Sequence, residues 1–71
     1  MKVKCVSNRG YYNLTEGKEY DVVQMIPVTI MENGFVFPKY VKVIGDDGRN
    51  VTGHAYRFET LDGISCEKYI K

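Results

Sequence analysis

The stretch that decides the fold is Leu14-Thr15-Glu16-Gly17-Lys18-Glu19-Tyr20-Asp21-Val22-Val23. Its first half ends in a glycine, which indicates a turn. Its second half alternates polar and apolar residues and predicts a strand from residue 18 towards Pro27, with Tyr20, Val22 and Gln24 on one face. A second motif, Asp46-Asp47-Gly48, predicts a tight hairpin turn with Gly48 in the left-handed conformation.

The rest of the chain also consists of short strand-like segments separated by turn signals. Strands are predicted at residues 2–7, 28–32, 35–37, 39–44, 49–54 and 60–64, with a 3-10 turn within 55–59. The tail, residues 66–70, fits a strand or a short helix. The chain has 71 residues and no repeat, so it forms one domain, residues 1–71, of the all-β class. Closure into a small barrel is favoured because it removes exposed strand edges.

Residues 26–38 form the most apolar part of the sequence. Asn33-Gly34 predicts a two-residue type I′ turn, which pairs Ile30 with Phe37 and Met31 with Val36. A barrel this small cannot bury both faces of such a hairpin, so an apolar surface for self-association or for a protein partner is expected. The alternative is a hairpin that folds back and caps the barrel. The predicted contact residues are Ile30, Met31, Phe35, Val36 and Phe37.

A second candidate surface interleaves basic and aromatic residues. It consists of Arg9, Tyr11, Tyr12, Tyr56 and Arg57, helped by Lys2 and Lys4. Tyrosines stack on bases and arginines contact phosphates, so nucleic-acid binding is the alternative function. The same residue types are enriched at protein interfaces. A purely structural interpretation places Tyr56 and Phe58 at the rim of the core.

Composition limits the remaining function classes. Ten Lys and Arg residues against nine Asp and Glu leave a net charge of +1, and the charges are interspersed, which disfavours dominant phosphate-backbone binding. No segment is apolar for long enough to span a membrane or to act as a signal peptide, so a soluble, cytoplasmic protein is expected. Cys5 is expected to be a buried free thiol; a Cys5–Cys66 bridge is the alternative.

No residue pattern predicts catalysis, a metal or a cofactor. Asp46-Asp47 fits a hairpin turn better than a metal site, because no further ligands stand at a useful spacing. His54, the only histidine, has no nucleophile or orienting group near it in the sequence. The expectation is therefore a protein that is not an enzyme and that has no metal, cofactor or small-molecule ligand.

The order of these elements resembles a known fold group. Lys2-Val3-Lys4-Cys5, Leu14-Thr15-x-Gly17-Lys18-x-Tyr20-x-Val22, Asp46-Asp47-Gly48 and Tyr56-Arg57-Phe58-Glu59 are similar to small SH3-like barrel proteins of phages and prophages of Gram-positive bacteria. The resemblance covers residues 2–59 and implies a five-stranded SH3-like barrel, to which the apolar residues 26–38 add an extended second hairpin. It implies no activity, because the motifs describe turns and core positions.

The chain departs from SH3 domains that bind proline-rich peptides. It contains no Trp, and its first long loop, Asn8-Arg9-Gly10-Tyr11-Tyr12-Asn13, lacks an acidic cluster. Binding of polyproline II peptides is therefore not implied. The sequence predicts a non-enzymatic protein-binding module, a phage accessory protein acting on a host component, that dimerises through residues 26–38. The alternative is a small nucleic-acid-binding barrel.

Overall fold

Seven short β-strands make up most of the regular structure in the computed structural model, which describes residues 1–71. The all-β prediction is confirmed. One 3-10 turn spans Ala55–Arg57, as predicted, and the tail forms a single helical turn, α1, at Cys66–Tyr69. The strands are β1 (Lys2–Cys5), β2 (Glu19–Ile26), β3 (Thr29–Ile30), β4 (Val36–Phe37), β5 (Tyr40–Ile44), β6 (Asn50–His54) and β7 (Phe58–Thr60).

Five of the strands form one antiparallel sheet in the order β6-β5-β2-β1-β7. The two outer strands of this order, β6 and β7, do not pair with each other, so the sheet is open. Strands β3 and β4 pair only with each other and form a separate two-stranded ribbon. The extended second hairpin is therefore a distinct element outside the main sheet.

A β-bulge at Val23 changes the faces of β2. Val22 pairs with Val43 but Gln24 pairs with Lys42, so Val23 is an extra residue without a partner. After an extra residue of this kind, each later side chain of the strand points to the face opposite to the one that simple alternation predicts. The expectation that Gln24 shares the inner face with Tyr20 and Val22 is therefore wrong, and Met25 packs against the core instead.

The core lies on the inner face of the five-stranded sheet and is closed by the C-terminal segment. Phe58 is its largest fully buried side chain. Strict alternation along β1, β5 and β6 delivers apolar side chains to one side, as predicted for Val3, Cys5, Val41 and Val43. The buried apolar residues are Val3, Cys5, Leu14, Tyr20, Val41, Val43, Val51, Ala55, Phe58, Cys66 and Ile70.

The last strand lies earlier in the chain than predicted. β7 covers Phe58–Thr60 and pairs with β1, whereas residues 61–64 form a turn in which Gly63 N–H donates to Thr60 O at 2.9 Å. The Asp62-Gly63 pair reverses the chain directly after Thr60 and so ends the strand. Ser65 then begins α1 by accepting a hydrogen bond from Glu67 N–H at 3.3 Å, as an N-cap residue does.

The opening motif of the sequence is held in place by Asp46. Its carboxylate accepts hydrogen bonds from Thr15 Oγ1 at 2.8 Å, Tyr20 OH at 2.9 Å and Lys18 Nζ at 2.6 Å. Asp46 N–H donates to Asn13 O at 2.8 Å. The turn at 45–48, with Gly48 at φ +79° as predicted, thus fastens the long first loop to the sheet.

These contacts shift two ionisation equilibria. The hydrogen bond from Lys18, followed by that from Thr15, holds the pKa of Asp46 below its usual value. The same contact with Asp46 raises the pKa of Lys18. Both shifts favour the ion pair over the neutral groups, so the pair stabilises the folded state only while both partners are charged.

Acid should therefore weaken the fold through Asp46. Its contribution is complete above the unfolded pKa of about 4 and is lost as the pH falls through the lower folded pKa. We expect the urea midpoint of the wild type to fall between about pH 4 and pH 2 more steeply than that of Asp46→Asn. Asp47→Asn is the matched control, and equal slopes for the wild type and Asp46→Asn would contradict a stabilising role for the Asp46 carboxylate.

Candidate functional site

The hairpin surface is the larger of two candidate sites and comprises the exposed apolar side chains of residues 28–37. Their exposed fractions run from 41% at Phe37 to 72% at Ile30. The five predicted contact residues all lie here, and the structure brings them together on one hairpin. The members of the hairpin surface are Val28, Ile30, Met31, Phe35, Val36 and Phe37.

The turn of this hairpin differs from the prediction. Thr29 pairs with Phe37 and Ile30 with Val36, and Met31 N–H donates to Phe35 O at 2.8 Å. The loop therefore has three residues, with only Gly34 at positive φ (+83°), which is typical of a type I turn followed by a left-handed residue. Asn33 keeps a negative φ, and its Oδ1 accepts a hydrogen bond from Phe35 N–H at 3.0 Å.

The corrected register regroups the two faces of the hairpin. Phe35 and Phe37 share one face, since their ring centroids lie 4.9 Å apart, and Met31 belongs to the same face by its pairing with Phe35. Ile30 and Val36 form the opposite face. The predicted grouping of Ile30 with Phe37 and of Met31 with Val36 is wrong, but both faces are apolar and exposed.

The second candidate site is a series of neighbouring aromatic and cationic groups, here called the aromatic row, formed by Tyr40, His54, Tyr56, Arg57 and Tyr11. The ring centroids of Tyr40 and His54 lie 4.8 Å apart, and those of His54 and Tyr56 lie 5.3 Å apart with an interplanar angle of 23°. Arg57 Cζ lies 5.4 Å from the ring centroids of both Tyr56 and Tyr11.

Strand register explains how the row assembles. Counting outward from the 45–48 turn pairs Tyr40 directly with His54, both on the outer face of the sheet, and Ile26 pairs with Tyr40 on the other side. The 3-10 turn follows β6 at once and places Tyr56 beside His54. Sequence reasoning missed Tyr40 and His54, although the turn at Gly48 gives enough information to pair them.

Arg57 fixes the first loop to the 3-10 turn. Its Nη1 donates to Ser7 Oγ at 3.2 Å, and its carbonyl oxygen accepts from Val6 N–H at 2.7 Å. Its Nε is buried and has no hydrogen-bond partner. Tyr11 completes the junction by donating from its OH to Thr52 O at 3.3 Å.

The structure places only part of the predicted Tyr-Arg surface in this row. Tyr11, Tyr56 and Arg57 come together, whereas Tyr12 is 87% exposed and Arg9 is exposed, and neither belongs to the row. Lys2 and Lys4 lie on β1 opposite the acidic residues Asp21 and Glu19. Of the two residues in the structural alternative, Phe58 is fully buried, while Tyr56 is 53% exposed.

A shallow cleft adjoins the row. It has a volume of about 260 Å³ and is lined by Pro38, Lys39, His54, Ala55, Tyr56 and Glu67. Lys39 Nζ donates to the backbone oxygen of Glu67 at 2.8 Å, which ties α1 to the segment before β5. The cleft therefore offers a mixed apolar and charged floor next to the exposed face of Tyr56.

The two cysteines are buried and free. Burial raises the pKa of the Cys5 thiol, and burial followed by the nearby Glu59 charge raises the pKa of the Cys66 thiol. A raised pKa keeps a thiol protonated and poorly nucleophilic. Both side chains act as small apolar core residues, as expected for Cys5.

Neither a metal site, nor a membrane-spanning helix, nor a similar known protein gives further information on these two surfaces. No group of three or more His, Cys, Asp and Glu residues is arranged to hold a metal ion. None of the helical segments has the length and hydropathy of a membrane-spanning helix. In comparisons with protein-family models, curated proteins and solved structures, no match to this chain was found.

Proposed function

We propose that this protein is a non-enzymatic, cytoplasmic protein-interaction module that self-associates through the hairpin surface. The observation that carries the proposal is the two-sided exposure of apolar side chains on β3 and β4, which pair with no other strand. Large exposed apolar patches on soluble proteins are typical of surfaces that bind another molecule.

The chemistry of the hairpin favours a second copy of the chain as the partner. Glu32, at the turn, is the only charged residue among residues 26–38, so two copies can approach without repulsion along the strands. A two-fold contact places the same patch on both sides, and apolar patches are self-complementary in that arrangement. The free edges of β3 and β4 also permit pairing by strand addition.

Self-association would also stabilise a chain of this size. A domain of about 70 residues buries only about 60% of its unfolded surface, which leaves little net stability. Burying the exposed part of the hairpin side chains against a partner would add roughly 1 kcal/mol for each large apolar side chain, because these side chains are already about half buried. Dimer formation and folding are then expected to be linked, with an apparent stability that rises with protein concentration.

The proposal includes the fold type. The strand order β6-β5-β2-β1-β7, with the long loop between β1 and β2 and the 3-10 turn before the last strand, supports an SH3-like arrangement in an open form. The resemblance of the turn and core motifs to phage and prophage proteins of this type supports an accessory role towards a host component.

Charge introduced into the hairpin should disrupt the dimer. We expect the wild type to dimerise between about 1 and 200 µM, and Met31→Asp or Phe37→Asp to weaken dimerisation at least about tenfold, since each buries a carboxylate in an apolar contact. Ile30→Asp tests the opposite face. Molar mass is measured by light scattering after size exclusion, with reductant present.

The control variant is Leu61→Asp, which introduces the same charge at an exposed apolar position in the 61–64 turn. It should leave the molar mass unchanged. A wild type that remains monomeric at the highest concentration, or hairpin variants that dimerise as well as Leu61→Asp, would overturn the proposal.

A further inference from the structure

The aromatic row is a second surface that self-association through the hairpin does not use. Its members come from the first loop, β5, β6 and the 3-10 turn, and none of them belongs to residues 26–38. Tyr56, in the middle of the row, is 53% exposed, although a tyrosine in a 71-residue chain could contribute to its small core. Self-association through the hairpin therefore does not account for the exposure of the aromatic row.

The groups in the row suit a planar, negatively charged ligand. Four aromatic rings and one guanidinium contact one another at separations of 4.8 to 5.4 Å, and Tyr56 among them is half exposed and borders the cleft. Bases stack on tyrosine, histidine and arginine planes without regard to sequence. Because the rings already contact each other, a base would stack on the exposed side of the row, at Tyr56 beside the cleft.

The charges beside the row complement a phosphate backbone. Lys42 lies on the outer face of β5, two residues from Tyr40, and Lys39 lines the cleft next to Tyr56. The Arg57 side chain makes one hydrogen bond, from Nη1 to Ser7, and its Nε is buried, so only the remaining Nη N–H groups are left to donate to a phosphate. Glu67 is the single carboxylate lining the cleft, which places the expected phosphate path on the Lys42 side of the row.

Arg57 is also positioned in advance. Contacts with Ser7, Tyr11 and Tyr56 fix its guanidinium before any ligand arrives. Fixed donors lose less conformational entropy on binding than mobile ones. A cation held between two aromatic rings is a common arrangement for contacts with single-stranded nucleic acids.

We propose that the aromatic row binds single-stranded nucleic acid, with bases stacked at Tyr56 and its neighbours and phosphates near Arg57 and Lys42. The modest net charge of +1 then predicts weak binding that depends on stacking more than on counterion release. This site is independent of the hairpin surface, so each proposal can fail without the other.

The test is fluorescence anisotropy with labelled single strands of about twelve thymidines or uridines, a matching duplex and a labelled proline-rich peptide, at protein concentrations up to about 100 µM. We expect micromolar binding of the single strands at about 50 mM salt, and binding roughly tenfold weaker at about 200 mM salt, as two or three phosphate contacts require. The duplex and the peptide should bind less well than the single strands.

Two matched pairs of variants locate the site. Tyr56→Ala should weaken single-strand binding about fivefold or more, whereas Tyr12→Ala, which removes a more exposed tyrosine outside the row, should leave it unchanged. Lys42→Gln should reduce the salt dependence, whereas Lys2→Gln should not. Circular dichroism verifies that each variant is folded, and Met31→Asp, whose row is intact, should bind as the wild type does.

Three results would overturn the proposal. These are no anisotropy change with any single strand at the highest protein concentration, equal losses for Tyr56→Ala and Tyr12→Ala, or tighter binding of the proline-rich peptide than of the oligonucleotides. The last result would assign the row to an extended peptide instead.

Discussion

Phe58→Ala is expected to remove a large share of the free energy of unfolding of this protein. Phe58 has no exposed surface and is the largest fully buried side chain. Truncation of a buried Phe costs roughly 3–5 kcal/mol, because apolar contacts are lost and a cavity remains. A chain of this size has roughly 4–10 kcal/mol of stability in total, so the loss is a large share of it.

Urea denaturation followed by far-UV circular dichroism measures this loss as a lower midpoint at an unchanged slope. Phe58→Leu keeps most of the volume and should cost clearly less. Tyr12→Ala, a truncation of a ring that is 87% exposed, should change the midpoint by an amount equivalent to less than about 0.5 kcal/mol. A loss of less than about 1 kcal/mol for Phe58→Ala would show that the core does not depend on this ring.

Gly45→Ala is expected to produce the second largest loss. A Cβ atom at Gly45 would lie 2.8 Å from Val51 Cγ2 and 2.9 Å from Asn13 O. Asn13 O already accepts the hydrogen bond from Asp46 N–H, so the loop cannot withdraw without breaking that contact. Such overpacking costs roughly 1–3 kcal/mol.

A double-mutant cycle with Val51→Ala separates the two contacts. Removal of Val51 Cγ2 relieves one of them, so the cost of Gly45→Ala should be smaller, but not zero, in the Val51→Ala background. The midpoint of urea denaturation is again the measurement. An unchanged or higher midpoint for Gly45→Ala alone would mean that the first loop is not held against the 45–48 turn.

Turn chemistry made much of the fold predictable. Gly48 has the left-handed conformation that its turn requires, and the strand before it carries the expected inward valines, Val41 and Val43. The motif around Thr15, Lys18 and Tyr20 is informative because three of its side chains bind one carboxylate, that of Asp46. Local sequence therefore reports a long-range contact in this case.

Predictions failed where one sequence pattern fits two different turn structures. Asn33-Gly34 fits a two-residue turn with both residues at positive φ and a three-residue loop with only the glycine there. The hydrogen bond from Phe35 N–H to Asn33 Oδ1 accompanies the second solution. The bulge at Val23 depends on packing that no local pattern encodes, whereas the early end of β7 follows from the local Asp62-Gly63 turn.

The candidate sites were predictable to different degrees. The hairpin surface follows from composition, because too many apolar residues lie within residues 26–38 for a small core to cover. The Tyr40–His54 part of the aromatic row follows from the register of one hairpin. The approach of Tyr11 to Arg57 does not, because it depends on the path of a long loop whose ends are fixed by Asp46 and Ser7 contacts.

The bulge at Val23 has a consequence for the arrangement of the two surfaces. The extra residue shifts the inward and outward positions of β2 by one. Without it, a strand of the same length would turn Gln24 inward and Met25 outward, and the chain would enter the hairpin with its two faces exchanged. Deletion of Val23 would remove the bulge and its local bend but would leave the inward and outward positions of the later residues unchanged. The number of residues in β2, rather than the sequence of the hairpin, therefore sets which way the hairpin faces.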